Sequence, residues 1–166
     1  MKSVFLTILF FYSTSLFAKD PAINEVRMLY EKAATNEKTC KQLIDLLSPY
    51  NEKNNPLLSG YKAVATMLMA KHVFFPFTKL SYFNKGKKML GKSIEVDGKN
   101  VELRFLRFTM ETNVPSFLGY NDDIKNDKNF ILNFYQGITD TLLKNFMLPV
   151  LQKSDHITAN EKRRLK

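Results

Sequence analysis

Residues Asn55–Asn113 read NPLLSGYKAVATMLMAKHVFFPFTKLSYFNKGKKMLGKSIEVDGKNVELRFLRFTMETN, and they decide the fold. Asn55-Pro56 opens a first helix, because Asn is a good N-cap and Pro is tolerated where its missing N–H would be unpaired anyway. Leu57, Tyr61, Val64 and Leu68 then recur at i, i+4, i+7 and i+11, which is one face of a helix, and Leu58, Ala65 and Met69 widen it. Gly60, Ala63 and Ala70 are small enough for a neighbouring helix to come close. With so few polar side chains, this segment is expected to be the most buried helix. Phe74-Phe75-Pro76-Phe77 ends it, since Pro76 pushes Phe75 out of the α region. Thr78 is the expected cap of a second helix, to about Val96, with Lys85, Lys88, Lys92 and Glu95 opposite Phe83, Leu90 and Ile94. Asp97–Asn100 is a turn. Asn100 caps a third helix with Val101, Phe105 and Phe108 on one side and Leu103, Leu106 and Met110 beside them. Arg104, Arg107 and Glu111 fall on its remaining face, and Asn113-Val114-Pro115 stops it.

The flanking segments supply the partners these apolar faces need. Asp20-Pro21 opens a helix to about Ala34, with Ile23, Val26, Tyr30 and Ala33 inward. Asn36 caps another to about Leu47, closed by Ser48-Pro49, and the tight connection predicts antiparallel packing. Beyond the central stretch, Pro115–Tyr120 is an aromatic loop. A helix from about Asn121 carries Phe130, Ile131 and Phe134 and stops near Gly137. Thr139 or Asp140 caps a further one, with Leu143, Phe146, Met147 and Val150 inward and Pro149 expected to kink or end it. Thr158 and Glu161 have capping-box spacing for a short basic tail helix. No alternating strand pattern appears. The expected fold class is all-α: antiparallel helix pairs in a short irregular solenoid or bundle. The pairs start at Asp20, Asn55, Asn100 and Thr139, at spacings of 35, 45 and 39 residues, which bracket helix-pair repeat lengths without keeping one period.

Phe83–Gly86 through Lys92–Asn100 resembles the second helix of a tetratricopeptide repeat and the turn after it. In that motif two small helix positions precede an acidic residue, an apolar residue and Asp-Pro-Asn-Asn. Gly86 and Ser93 match the small positions, and Gly98 replaces the Pro. Arg104 and Arg107 stand where the next repeat usually has large apolar residues, and the match spans about one repeat. Tyr50–Pro56, with Phe117–Asn121, also resembles a family of small, uncharacterised exported bacterial proteins over most of the chain. The second resemblance implies no activity. The first implies a groove for a peptide or protein partner.

Residues 1–18 are expected to be a secretory signal peptide. Lys2 supplies the charged start, Val4–Tyr12 is an apolar run too short to span a bilayer comfortably, and Ser13, Ser15 and Ala18 offer cleavage positions, with Ala18 favoured. The alternative is an uncleaved anchor helix. Residues 19–166 are then one domain, long enough for a core, in the bacterial periplasm or cell envelope. The formal net charge of +9 points to acidic partners: an anionic membrane contacted peripherally, an acidic protein surface or nucleic acid, the last disfavoured by export. Lys85, Lys88 and Lys92 form the densest basic patch, which a solvated helix face also explains. Cys40 is the single cysteine and shares a helix face with Leu43, Ile44 and Leu47, so it reads as a small core residue rather than a reactive thiol.

No catalytic signature emerges. His72 and His156 have no metal-ligand spacing, and there is no nucleophile elbow, phosphate loop or dinucleotide fingerprint, so no metal or cofactor is implied. Asp122, Asp123 and Asp127 answer the dipole of the helix they begin more simply than they answer calcium or carboxylate chemistry. The leading expectation is a non-catalytic helical-repeat adaptor for a protein or peptide. Its binding residues would be Arg104 and Arg107, as an exposed stripe able to grip carboxylates or else pairing locally with Glu111, and the loop aromatics Phe117 and Tyr120, which could equally plug the ends of the helix layers. The alternatives are a carrier of an apolar or anionic small molecule and a small secreted enzyme around His72.

Overall fold

The computed structural model describes residues 20–165; the signal peptide expected over residues 1–18 lies outside them. The described chain is all-helical and contains no strand. Its helices are α1 (Ile23–Ala33), α2 (Glu37–Leu46), α3 (Pro56–Leu68), α4 (Pro76–Val96), α5 (Val101–Asn113), α6 (Ile124–Phe134), α7 (Thr141–Lys153) and α8 (Ala159–Arg163). None of them is long and apolar enough to cross a membrane.

The starts follow the capping chemistry of the sequence. Asn36, Asn55, Asn100 and Asp140 each accept backbone N–H groups from the first turn of the helix that follows, and Thr158 and Glu161 close a reciprocal capping box. Three expectations need correction. α1 starts at Ile23 with Ala22 in the cap position and no side-chain cap, not at Asp20-Pro21, and Asp20 instead accepts the Tyr50 hydroxyl at 2.9 Å. α4 starts at Pro76 itself with Phe75 in the cap position, not after Thr78, because the fixed φ of proline suits the first helical residue. α7 runs through Pro149 to Lys153 instead of ending there. Asn145 and Pro149 both face solvent, so water can take the carbonyl that loses its usual N–H partner.

Two apolar cores share α5. Leu103, Leu106 and Met110 join the first, with side chains from α1, α2, α3 and α4. Phe105 and Phe108 join the second, with Ile131, Leu143, Met147, Leu151 and Ile157. α3 is buried along nearly its whole length, from Leu58 to Leu68 with only Lys62 partly open. It packs most extensively on α4.

That contact depends on Gly86. A Cβ there would lie 2.4 Å from Met67 Cγ, 2.5 Å from the Ala63 carbonyl oxygen and 2.9 Å from the Met67 nitrogen. Two of these three atoms are α3 backbone and cannot swing aside. Gly86→Ala is therefore expected to destabilise by about 1–3 kcal/mol, overpacking outweighing the roughly 1 kcal/mol gained in helix propensity. Gly91→Ala, where nothing lies within 4 Å, should instead stabilise by up to about 1 kcal/mol. Urea denaturation of the two variants reads both signs.

Candidate binding site

The third face of α5 meets the first turns of α6. Asp127 is fully buried and accepts hydrogen bonds from Arg104 Nη1 at 3.0 Å and from Arg107 Nε and Nη2 at 2.6 and 2.8 Å. Arg107 Nη1 also meets Asp123 at 2.7 Å. Arg104 donates to the Gly98 carbonyl at 3.0 Å and lies over the Phe130 ring. Burial opposes the charge on Arg107, but Asp127 and Asp123 outweigh it and its pKa moves up. The expected exposed arginine stripe is thus turned inward, with side-chain exposures of 24% and 11%. Arg107 pairs across to α6, not with Glu111 one turn along its own helix. The reason is the buried Asp127 carboxylate, which is costly unless neutralised and fully hydrogen-bonded.

Glu111 is left without a partner. It is buried, and neither carboxylate oxygen has a well-formed hydrogen bond among the described residues, although the backbone N–H of Asp123 approaches it. Burial pushes its pKa up to about 7; the charge of Arg107 and the Asp123 backbone N–H oppose this, and the Asp123 and Asp127 carboxylates reinforce it. Tyr120 is buried too, edge-on to Phe83 at 5.7 Å with the Lys87 ammonium over its face. It plugs the seam between α4 and the loop. Phe117, three residues earlier, is 84% exposed. The four residues expected to bind therefore do not converge: two lie in the α5–α6 ion cluster, one in the first core and one at the surface.

His72 and Cys40 have structural partners. His72 donates its Nε2–H to the Ala33 carbonyl at 2.7 Å. Cys40 is fully buried and donates to the Ala65 carbonyl, and burial pushes its thiol up to about 11. Among the described residues, no group of three or more His, Cys, Asp and Glu side chains is placed to hold a metal ion.

A cleft of about 560 Å³ opens where α1, α5 and α7 diverge. Its floor is Tyr30, Leu68, Met110, Phe146 and Val150, and its rim carries both charge signs: Glu31 and Asp155 against Lys71 and Lys153. The floor belongs to an aromatic ladder. Tyr30 stands edge-on to Tyr61 at 5.7 Å and to Phe146 at 6.1 Å, and Phe146 stands edge-on to Phe105 at 5.5 Å. Thr109 is a wall residue of the cleft, but its Oγ1 is unbonded and closed off from solvent, so only the Tyr30 hydroxyl is presented there. Tyr30 makes no side-chain hydrogen bond there, and burial raises its pKa, keeping it a neutral donor. A second depression, over α1 and α2, is larger, about 710 Å³, but shallower and more open, and its lining side chains are polar or charged apart from Leu46, with Glu37 and Lys41 paired to each other. The cleft was not legible in the sequence. Phe146 reads as core, Thr109 as a helix residue, and the three walls lie far apart along the chain. No protein-family model matches this chain, and the searches of curated proteins and of solved structures returned no match.

Proposed function

We propose that this chain is a non-catalytic helical-repeat adaptor of the bacterial cell envelope, and that a segment of a partner protein seats in the cleft between α1, α5 and α7. The observation that carries the reading is the make-up of the cleft: an aromatic floor that includes the Tyr30 phenol, and a rim of mixed charge. A peptide offers side chains for the floor, a backbone carbonyl for the Tyr30 hydroxyl and both signs for the rim. The repeat-like part of the reading draws support from the succession of contacts, α1 with α2, α3 with α4 and α5 with α6, together with α1 with α3 and α3 with α5. An irregular tetratricopeptide-like solenoid of antiparallel helix pairs makes such contacts.

The carrier reading has one observation in its favour: the cleft volume falls in the range of small-molecule sites, roughly 300–1,000 Å³. Its mixed-charge rim and open mouth suit an apolar cargo less well. The His72-centred enzyme has weaker support, since the Ala33 carbonyl holds the imidazole. The test is a cleft-filling variant, Ala34→Phe, at a half-buried wall position. Its melting temperature should be unchanged, while crosslinking to a partner in the native envelope should fall about tenfold, the effect of a lost interface anchor. An unchanged crosslinking profile in the folded variant would exclude the cleft. Arg104→Ala with Arg107→Ala is the comparison, expected to act through stability and not through the partner profile alone.

A further inference from the structure

From Phe74 to Ser81 every residue is exposed, across the connection after α3 and the first turns of α4. Phe74, Phe75 and Phe77 are 86%, 68% and 89% exposed, and Leu80 is 46% exposed. Three bare phenylalanines and a leucine within seven residues form a protruding apolar tip. Such a concentration in water marks an interaction surface, whereas scattered surface apolar residues need no explanation.

The surroundings of the tip identify its occupant. From Lys71 to Lys92 the chain carries six lysines and no carboxylate. Lys71, Lys79, Lys85 and Lys88 are without an ion-pair partner among the described residues; Lys87 is occupied by Tyr120, and Lys92 reaches Glu52 only at 3.7 Å. On α4, Phe77, Ser81, Lys85, Lys88 and Lys92 fall at i, i+4, i+8, i+11 and i+15. Phe77, the helical end of the apolar tip, and the basic ridge therefore share the outward face, opposite the buried Phe83, Gly86, Leu90 and Ile94, whereas Lys79 falls on the side of those buried residues. An aromatic end that continues into a lysine-rich face on one helix is the arrangement that lies in a bilayer interface: rings among the acyl chains, ammoniums on anionic headgroups. We propose that the outer face of α4 docks this protein on anionic phospholipid bilayers, with the apolar tip of Phe74, Phe75, Phe77 and Leu80 inserted and Lys85 and Lys88 holding the headgroups. This is a peripheral seat, separate from the cleft, and it leaves the cleft free for a partner.

The chain contains no tryptophan, so a Phe77→Trp variant carries a single local reporter. The chain from Lys19 onward contains every described helix and both cores, and it removes the apolar leader stretch from the experiment. With vesicles of phosphatidylcholine and phosphatidylglycerol, Phe77→Trp should show a blue-shifted emission and co-sediment, and both signals should weaken steeply with salt. Combined Phe74→Ser, Phe75→Ser and Phe77→Ser should cut vesicle partitioning at least about tenfold, and combined Lys85→Gln and Lys88→Gln should do so on anionic vesicles. Unchanged melting temperatures show that these exposed substitutions leave the fold intact. No emission shift on any vesicle, equal binding to pure phosphatidylcholine, or full binding by the triple-Phe variant overturns the proposal. So does a dimer in sedimentation that the triple-Phe variant converts to monomer, because the tip would then be a protein contact.

Discussion

Glu102→Ala is expected to cost about 3–5 kcal/mol, the usual consequence of stranding one partner of a buried ion pair. For a chain of this size that lowers the melting temperature by roughly 10 °C. Arg27 and Glu102 are 5% and 3% exposed. Arg27 Nε and Nη2 grip the two Glu102 oxygens at 2.7 and 2.8 Å. Tyr61 donates its hydroxyl to Glu102 Oε1, and Asn24 and Asp140 accept from Arg27 Nη1 at 2.8 and 3.0 Å. Burial and the Glu102 carboxylate both drive the Tyr61 pKa far up, so the phenol stays a donor. Burial lowers the Arg27 pKa, but Glu102 and Asp140 outweigh it and the net movement is upward. Remove Glu102, and a guanidinium remains inside the protein with only the half-exposed Asp140 to answer it. The network joins α1, α3, α5 and the cap of α7, so the loss should appear as reduced global stability in denaturant unfolding. Combining Glu102→Leu with Arg27→Met should recover most of it, because replacing a buried pair by apolar groups is often neutral or better. A single-variant cost below about 1 kcal/mol would mean that water already reaches the pair.

This network shows where sequence reading stops. The helices were legible because their signals are local. Asn55, Asn100 and Asp140 cap the segments they precede, and the apolar stripes have helical period. The two sides of α5 were legible for the same reason: Phe105 and Phe108 serve one core, and Leu103, Leu106 and Met110 the other. Partner choice was not legible. Arg27 and Glu102 are 75 residues apart, and Arg107 and Asp127 are 20 apart. Within one helix the nearest acid to Arg107 is Glu111, which made the local pairing the natural expectation. The fold instead turned the arginines onto α6 and left Glu111 unpaired. The cleft has the same character, because it exists only where three distant helices diverge.

Glu111→Gln is expected to stabilise the protein near neutral pH and to change little in acid. Glu111 is buried without a well-formed hydrogen bond, and its pKa rises from an ordinary 4.5 to about 7. The folded state therefore binds the proton more tightly than the unfolded state. The stability this provides is complete below about pH 4.5 and is lost as pH rises to about 7, after which the folded protein carries a buried carboxylate that its surroundings only partly compensate. At 1.36 kcal/mol per pKa unit the full excursion is on the order of 3 kcal/mol. Arg107 and the backbone N–H of Asp123 reduce the penalty, while the Asp123 and Asp127 carboxylates add to it. Gln keeps the shape and removes the charge, so the variant should gain about 1–3 kcal/mol near pH 8 and less than about 1 near pH 4. Denaturant unfolding of both proteins across that range measures the difference directly, and loss of pH-dependence shared with the wild type cancels in the comparison. A carbon-13 titration of the Glu111 carboxyl should give a midpoint near 7. Parallel stability curves for the two proteins, or a midpoint near 4.5, would show that solvent reaches this carboxylate and that the start of α6 opens above it.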